Sequence, residues 1–400
     1  MTAPLRIGTR ASALALAQTT AWAETLDLSV GYELVRITSE GDRSSASLAS
    51  LGGTGVFVSA LRDALLDGRV DAIVHSFKDL PTAPADGLEV VAVPPREDAR
   101  DALVAAGGLR LEGLPEGASV GTGSPRRRAQ LRRRRPDLDV VDIRGNVDTR
   151  LGRVLGADVE EERRLDAVVL AAAGLARLGR DGVVTELLGL EEWPSAPAQG
   201  ALAVEMRVDA AADLRAAVAA TDDADARLAA DLEREVLRVL EAGCAAPLGV
   251  SAAVVADRVD VRASVYALDG SDEVTVTAQE SRERAAGLGE RLARELIAAG
   301  AAGLAPLGPR AHETGVRGRS GGRVSAAPGS DERTGATGLA GRTVLVPRGG
   351  PRGRAWAQEV LDRGGRAVLA PWWRWSRRPT TSRCARRCPT STAGGSAGSC

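Results

Sequence analysis

Lysine is almost missing from this chain of 400 residues. Of its 52 Lys and Arg residues only Lys78 is a lysine, which leaves 51 arginines. Arginine offers a planar fork that stays charged, whereas lysine is a compact point charge on a flexible stem. A lone lysine among arginines is either a solvated surface group or a position where arginine will not serve. Its string, His75-Ser76-Phe77-Lys78-Asp79-Leu80-Pro81-Thr82, also holds one of two histidines and one of two phenylalanines, and these neighbours favour a site. Aromatic residues make up only 2% of the chain, so the core must be built from Ala, Val and Leu. A net charge of −1 excludes a global field that would draw in nucleic acid or an anionic membrane.

Cysteine is scarce too. Of four, Cys384, Cys388 and Cys400 lie close to the chain's end, and Cys244 alone is left for the body. A body with one cysteine holds no internal disulfide, which fits a reducing cytoplasm. With His75 and His312 as the only histidines, no His/Cys set has zinc spacing, so no metal is expected. No apolar run approaches the ~18 residues of a membrane span. Arg6 and Arg10 interrupt the apolar stretch that a leader at the start would need. A soluble, cytoplasmic protein is expected.

What is present has a clear rhythm. Through the first half of the chain, up to Gly200, short strands alternate with helical stretches, which predicts α/β layers with parallel sheets covered on both faces. Ser12 is a fitting N-cap for a helix over 12–26, and Ser124-Pro125 opens another with proline at the favoured first position. In such sheets ligands bind beyond the carboxyl ends of strands. Arg10, Lys78 with Asp79, and Arg144 all follow predicted strands. Residues 222–242 read as an amphipathic helix, followed by three alternating strands and a helix near 284–299, a small α+β domain. From about 304 to 340 the chain is Gly, Ser, Arg, Thr and Pro, a disordered linker. Strand–helix–strand patterning returns over 341–371. The closing stretch, Trp372 to Cys400, has no periodicity and reads as the product of a shifted frame or truncation.

Seven arginines crowd into 126–135. Arg132–Arg135 read as a solvated face. A nucleic-acid grip is the rival reading, but no interleaved aromatics support it. Arg126 and Arg127 differ, because they fall in the opening turn of a helix, where free N–H groups and the dipole attract anions. With Arg10, Arg144, Arg150 and Arg177 they make six arginines near strand ends, each able to form a bidentate pair with a carboxylate. Such a set suits a ligand with many carboxylates. Gly52-Gly53-Thr54-Gly55 reads as the hinge of a mobile lid. Cys244, between Gly243 and Pro247, is open to two readings: a buried small hydrophobe, or a nucleophile or attachment point. The functional alternatives are therefore an enzyme acting on a polyanionic substrate and a two-lobed module that only binds one.

Seven strings occur in order: Gly8–Gln18, His75–Thr82, Gly121–Leu131, Ile143–Arg150, Ala171–Gly179, Pro197–Glu205 and Gly243–Gly249. Over about residues 5–300 the chain resembles the porphobilinogen deaminase (hydroxymethylbilane synthase) family. The resemblance implies two periplasmic-binding-protein-like α/β domains, 1–95 with 197–217 and 96–196, then an α+β domain over 218–303. It implies that Cys244 carries a covalent dipyrromethane, on which four porphobilinogen units condense with loss of ammonia before hydrolysis releases hydroxymethylbilane. Asp79 matches the family's catalytic acid, which protonates the departing amine and holds pyrrole N–H groups as an azafulvenium cation develops. Lys78, Ser124, Arg126 and Arg127 match cofactor-binding positions, and Arg10, Ser12, Arg144, Arg150 and Arg177 match positions that hold substrate acetates and propionates. A monomer acting on a small molecule, without nucleic acid or membrane, is implied. The chain departs from many relatives at Thr54 and Ser59, where they carry lysine, and at Pro125, where they carry leucine. Residues 341–371 resemble the opening of uroporphyrinogen-III synthase. The short stretch from Gly341 to Cys400 makes a core there marginal, so a functional link to that enzyme is expected but not its activity.

Overall fold

A computed structural model describes residues 4–27, 31–38, 55–157, 159–241 and 246–307, with short pieces between 343 and 369. The glycine loop up to Thr54, Cys244, almost all of the linker and the tail from Trp372 lie outside the described residues.

The first sheet holds β1 (Leu5–Arg10), β2 (Tyr32–Ile37), β3 (Ala72–Ser76), β4 (Leu88–Ala92) and β10 (Leu202–Arg207), in the order β2-β1-β3-β10-β4. The second holds β5 (Asp101–Ala105), β6 (Ser119–Gly121), β7 (Asp139–Val141), β8 (Ala167–Ala171) and β9 (Glu186–Leu188), ordered β7-β6-β8-β5-β9. The two orders are the same pattern: second, first, third, crossing strand, last. Each sheet takes its fourth strand from a segment that has just crossed between them.

That crossing corrects the expectation of parallel sheets. β1 pairs in parallel with β2 and β3, but β10 runs antiparallel to β3 and β4. Likewise β6 is parallel to β7 and β8, while β5 is antiparallel to β8 and β9. A helix crossover returns a strand in the same direction. β5 and β10 arrive straight from the neighbouring domain, so they are free of that constraint. Every residue of β5 is buried, as a central strand covered on both faces must be.

Helices α1 (Ala13–Ala23) and α2 (Gly55–Leu66) flank the first sheet, and α3 (Pro125–Arg134), α4 (Val147–Leu155) and α5 (Ala172–Arg177) the second. After α6 (Ala212–Ala219) comes α7 (Ala224–Val239), which packs with α8 (Leu288–Ala298) on the antiparallel sheet β11 (Leu248–Val255), β12 (Arg258–Tyr266) and β13 (Glu273–Ser281). Leu232, Val236, Val250, Val261, Leu292 and Leu296 fill that core. In the second compact unit, β14 (Thr343–Val346) pairs in parallel with β15 (Arg366–Leu369). Among the described residues no helix is long and apolar enough to cross a membrane.

Candidate active site

β3 ends at Ser76 and the chain turns at once into a single 3₁₀ turn, Phe77–Asp79. Phe77 and Leu80 are each 3% exposed. Three residues apart they eclipse one another in a 3₁₀ turn, so both side chains plug the same core. The Leu80 N–H closes the turn on the Phe77 carbonyl at 3.2 Å, and the Phe77 N–H bonds the Ala201 carbonyl at 3.0 Å. With the two apolar side chains turned in, Lys78 is left half-buried and Asp79 exposed.

Lys78 Nζ donates to Gln199 Oε1 at 3.3 Å. Arg127 Nη2 donates to the same oxygen, also at 3.3 Å, and Gln199 Nε2 donates to Asp101 Oδ1 at 2.8 Å. Asp101, wholly buried at the start of β5, is the centre of the network. Its Oδ1 also accepts from Arg127 Nη2 at 2.7 Å, and its Oδ2 from Arg126 Nη1 and Trp193 Nε1, both at 2.8 Å. Burial pushes the Asp101 carboxyl up, but the two guanidinium groups outweigh it and hold it well below the usual carboxylate range. Burial pushes Lys78 down to about 8, against the attraction of Asp79 and with help from Arg127. Two arginines and Lys78 against Asp101 give these four groups a net charge of 3 − 1 = +2, with the Asp79 carboxylate adjoining.

The remaining predicted residues fall at element ends. Arg10 is the half-buried last residue of β1. Ser12 Oγ caps α1 by accepting from the Ala15 N–H at 3.3 Å, and Ser124 Oγ caps α3 through the Arg127 N–H at 3.4 Å. As acceptors in these caps, both hydroxyls keep their own proton to donate. Arg150 Nε reaches the Gly145 carbonyl at 2.9 Å, and Gly145 holds a φ of +109°, which a side chain would resist. Burial lowers the pKa of Arg150, and the nearby charges of Arg127 and Arg144 lower it further. Arg144 pairs with Asp142 at 3.2 Å. Arg177 Nη2 donates to the Gly200 carbonyl at 2.6 Å. Lys78, Arg126, Arg127, Arg144 and Arg150 thus lie in linked neighbourhoods. Arg177 is tied instead to the crossover at Gly200.

Arg126 and Arg127 stand in the opening turn of α3, where the sequence put them. Both are buried, and their nearest carboxylate is internal. Arg132–Arg135 lie toward solvent, with Arg133 and Arg134 exposed, and their charges are matched locally: Arg132 reaches the Leu268 carbonyl, while Arg133, Arg134 and Arg135 pair with Glu273, Glu112 and Asp137. His75 is taken up by Glu205, 3.0 Å from its Nε2, beside Arg62.

Sequence reasoning missed Asp101, Gln199 and Glu233. Adjacent arginines in a buried first turn require an acid nearby, a signal that points to Asp101 once burial is known. Glu233, on α7 and fully buried, accepts from Arg96 at 2.8 and 2.9 Å and from the Ala198 and Ala252 N–H groups at 2.6 and 2.7 Å. It ties both crossover segments to the third domain.

The family model described as "Porphobilinogen deaminase, dipyromethane cofactor binding domain" matches residues 5–214, and "Porphobilinogen deaminase, C-terminal domain" matches 227–298. The chain belongs to the porphobilinogen deaminase family. It is 53% identical to the porphobilinogen deaminase of Leifsonia xyli subsp. xyli, over 76% of this chain and 94% of that relative. It is 52% identical to that of Thermobifida fusca, over 75% of this chain and 95% of that relative. An arginine-specific periplasmic binding protein of Salmonella typhimurium aligns over 55% of this chain and 92% of its own, at a TM-score of 0.29 and 13% identity.

The family's enzymes are transferases that act on porphobilinogen and hold a dipyrromethane cofactor. The residues at the junction fit a group rich in carboxylates. Among the described residues the buried Nε atoms of Arg126, Arg127 and Arg128 have no hydrogen-bond partner. Lys78, a cation driven down by burial, has only a neutral amide oxygen on its Nζ within hydrogen-bond distance among the described residues. Lys78, Ser124, Arg126 and Arg127 could hold such a group.

Proposed function

We propose that Asp79 is the catalytic acid of a porphobilinogen deaminase reaction whose primer is carried on Cys244. Lys78, Ser124, Arg126 and Arg127 bind the primer's carboxylates, and Arg10, Ser12, Arg144, Arg150 and Arg177 bind those of the incoming unit. When bound, the dipyrromethane supplies the nucleophilic pyrrole carbon. Asp79 holds a proton at the departing amine of porphobilinogen, so that the carbon–nitrogen bond breaks with release of ammonia, and its carboxylate accepts the pyrrole N–H as positive charge develops. A fixed acid beside fixed cations needs no reorganisation at that moment. The arginines hold the substrate's acetate and propionate in place and so supply orientation.

The observation that carries this reading is the shared amide of Gln199. It joins Lys78, next to Asp79, to Arg127 and Asp101 at the domain junction. On this reading the enzyme works as a cytoplasmic monomer, free of membrane and nucleic acid, and its linear product passes to a uroporphyrinogen-III synthase. Intact-mass measurement of the purified chain tests the primer assignment. A dipyrromethane adduct lost in Cys244→Ser supports it, and normal loading and turnover by that variant defeat it.

A further inference from the structure

Helix α7 meets the Lys78–Asp79 turn with an arginine. Ala226, Ala230 and Arg234 stand four residues apart, so they share one row of the helix. Ala226 and Ala230 pack in the same cluster as Phe77 and Leu80. Two methyl side chains let the helix come close, and Arg234 continues the row across the turn. Its Nη1 donates to the carbonyls of Phe77 at 3.0 Å and Leu80 at 2.8 Å, and its Nη2 to that of Pro81 at 2.9 Å. Its Cζ lies 4.3 Å from the centre of the Phe77 ring. The three carbonyls bracket Lys78 and Asp79 on both sides. A planar fork serves them together, whereas a single ammonium nitrogen cannot reproduce that set. Burial lowers the pKa of Arg234 only to about 10, so the fork stays charged at neutral pH. The residue before it, Glu233, ties the same helix to the crossover at Arg96 and Ala198.

We propose that Arg234 is a positioning residue for the reaction: from the third domain it sets the backbone frame that aims Asp79, and so links the acid to the domain that carries the primer. The inference rests on the assignment of Asp79 as the acid. The test uses the full chain, with primer loading checked by intact mass, and compares Arg234→Gln, Arg234→Lys and Asp79→Asn by kcat, KM and melting temperature. Misaiming a catalytic group by an ångström lowers kcat on the order of 10²-fold. A kcat that falls by at least about 10-fold in loaded Arg234→Gln, with KM changed less than about threefold, is the expected result. Arg234→Lys is expected to restore melting temperature but not kcat; should Arg234→Gln fail to fold, this variant decides alone. A folded, loaded Arg234→Lys enzyme with wild-type kcat overturns the proposal. If Asp79→Asn is inactive in that same comparison, only the role of Arg234 falls. If Asp79→Asn turns over normally, the assignment of the acid falls, and this proposal with it.

Discussion

Asp101→Asn removes the anion that two buried guanidinium groups share. Asp101 accepts four hydrogen bonds, two on each oxygen, from Arg126, Arg127, Trp193 and Gln199. Asparagine keeps one oxygen and turns an NH₂ toward donors, so at least two of these bonds are lost along with the charge. Removing one partner of a buried ion pair costs about 3–5 kcal/mol, because the other charge is left uncompensated. The shift is about 2–4 °C per kcal/mol for 150–250 residues and smaller for a longer chain, so the melting temperature falls by roughly 5 °C. The net charge of the four groups rises from 3 − 1 = +2 to +3. Since Asp101 supports the protonated form of Lys78 and the arginines oppose it, the lysine's pKa moves below about 8 in the variant. Thermal unfolding followed by circular dichroism reads the first effect, and the pH dependence of primer loading reads the second. A variant that melts within about 2 °C of wild type and loads primer with an unshifted pH profile refutes the reasoning.

Two further outcomes follow from the titrating groups. Lys78 loses its proton as pH rises through about 8, so primer loading of the apoprotein weakens above that pH. Lys78→Arg, which stays charged, flattens the profile, and an identical profile in that variant contradicts the assignment. Burial raises the Glu205 carboxyl, but His75 and Arg62 overcome it and bring it down to about 2. Its stabilisation is therefore full above the ordinary glutamate value of about 4.3 and is lost as pH falls from there toward about 2. Acid unfolding of Glu205→Gln should lack that component, and an unchanged acid transition argues against it.

The features legible in the sequence are those set by local chemistry. Ser12 and Ser124 could be read as caps because an N-cap needs only a side-chain oxygen and a helix after it, and both hydroxyls accept the expected N–H. The α/β alternation likewise follows from short-range periodicity. The direction of β5 and β10 was not legible, because it depends on the chain crossing between domains rather than on any local pattern. Asp101 was hidden for a similar reason: an acid before Ala-Leu-Val-Ala looks like a loop residue until two arginines from a distant helix are seen to bury it. Glu233 and Arg234 read as the polar side of an amphipathic helix. A third layer, the crossover and the Asp79 turn, covers that side, and periodicity cannot show what packs there.

The central proposal is that Asp79 drives the loss of ammonia at a primer already in place. Intact-mass spectrometry of Asp79→Asn, before and after mixing with porphobilinogen, tests this most directly. The expected spectrum keeps the primer mass on the chain and shows no successive pyrrole increments, where wild type shows them. A ladder of increments in Asp79→Asn at the wild-type rate contradicts the account.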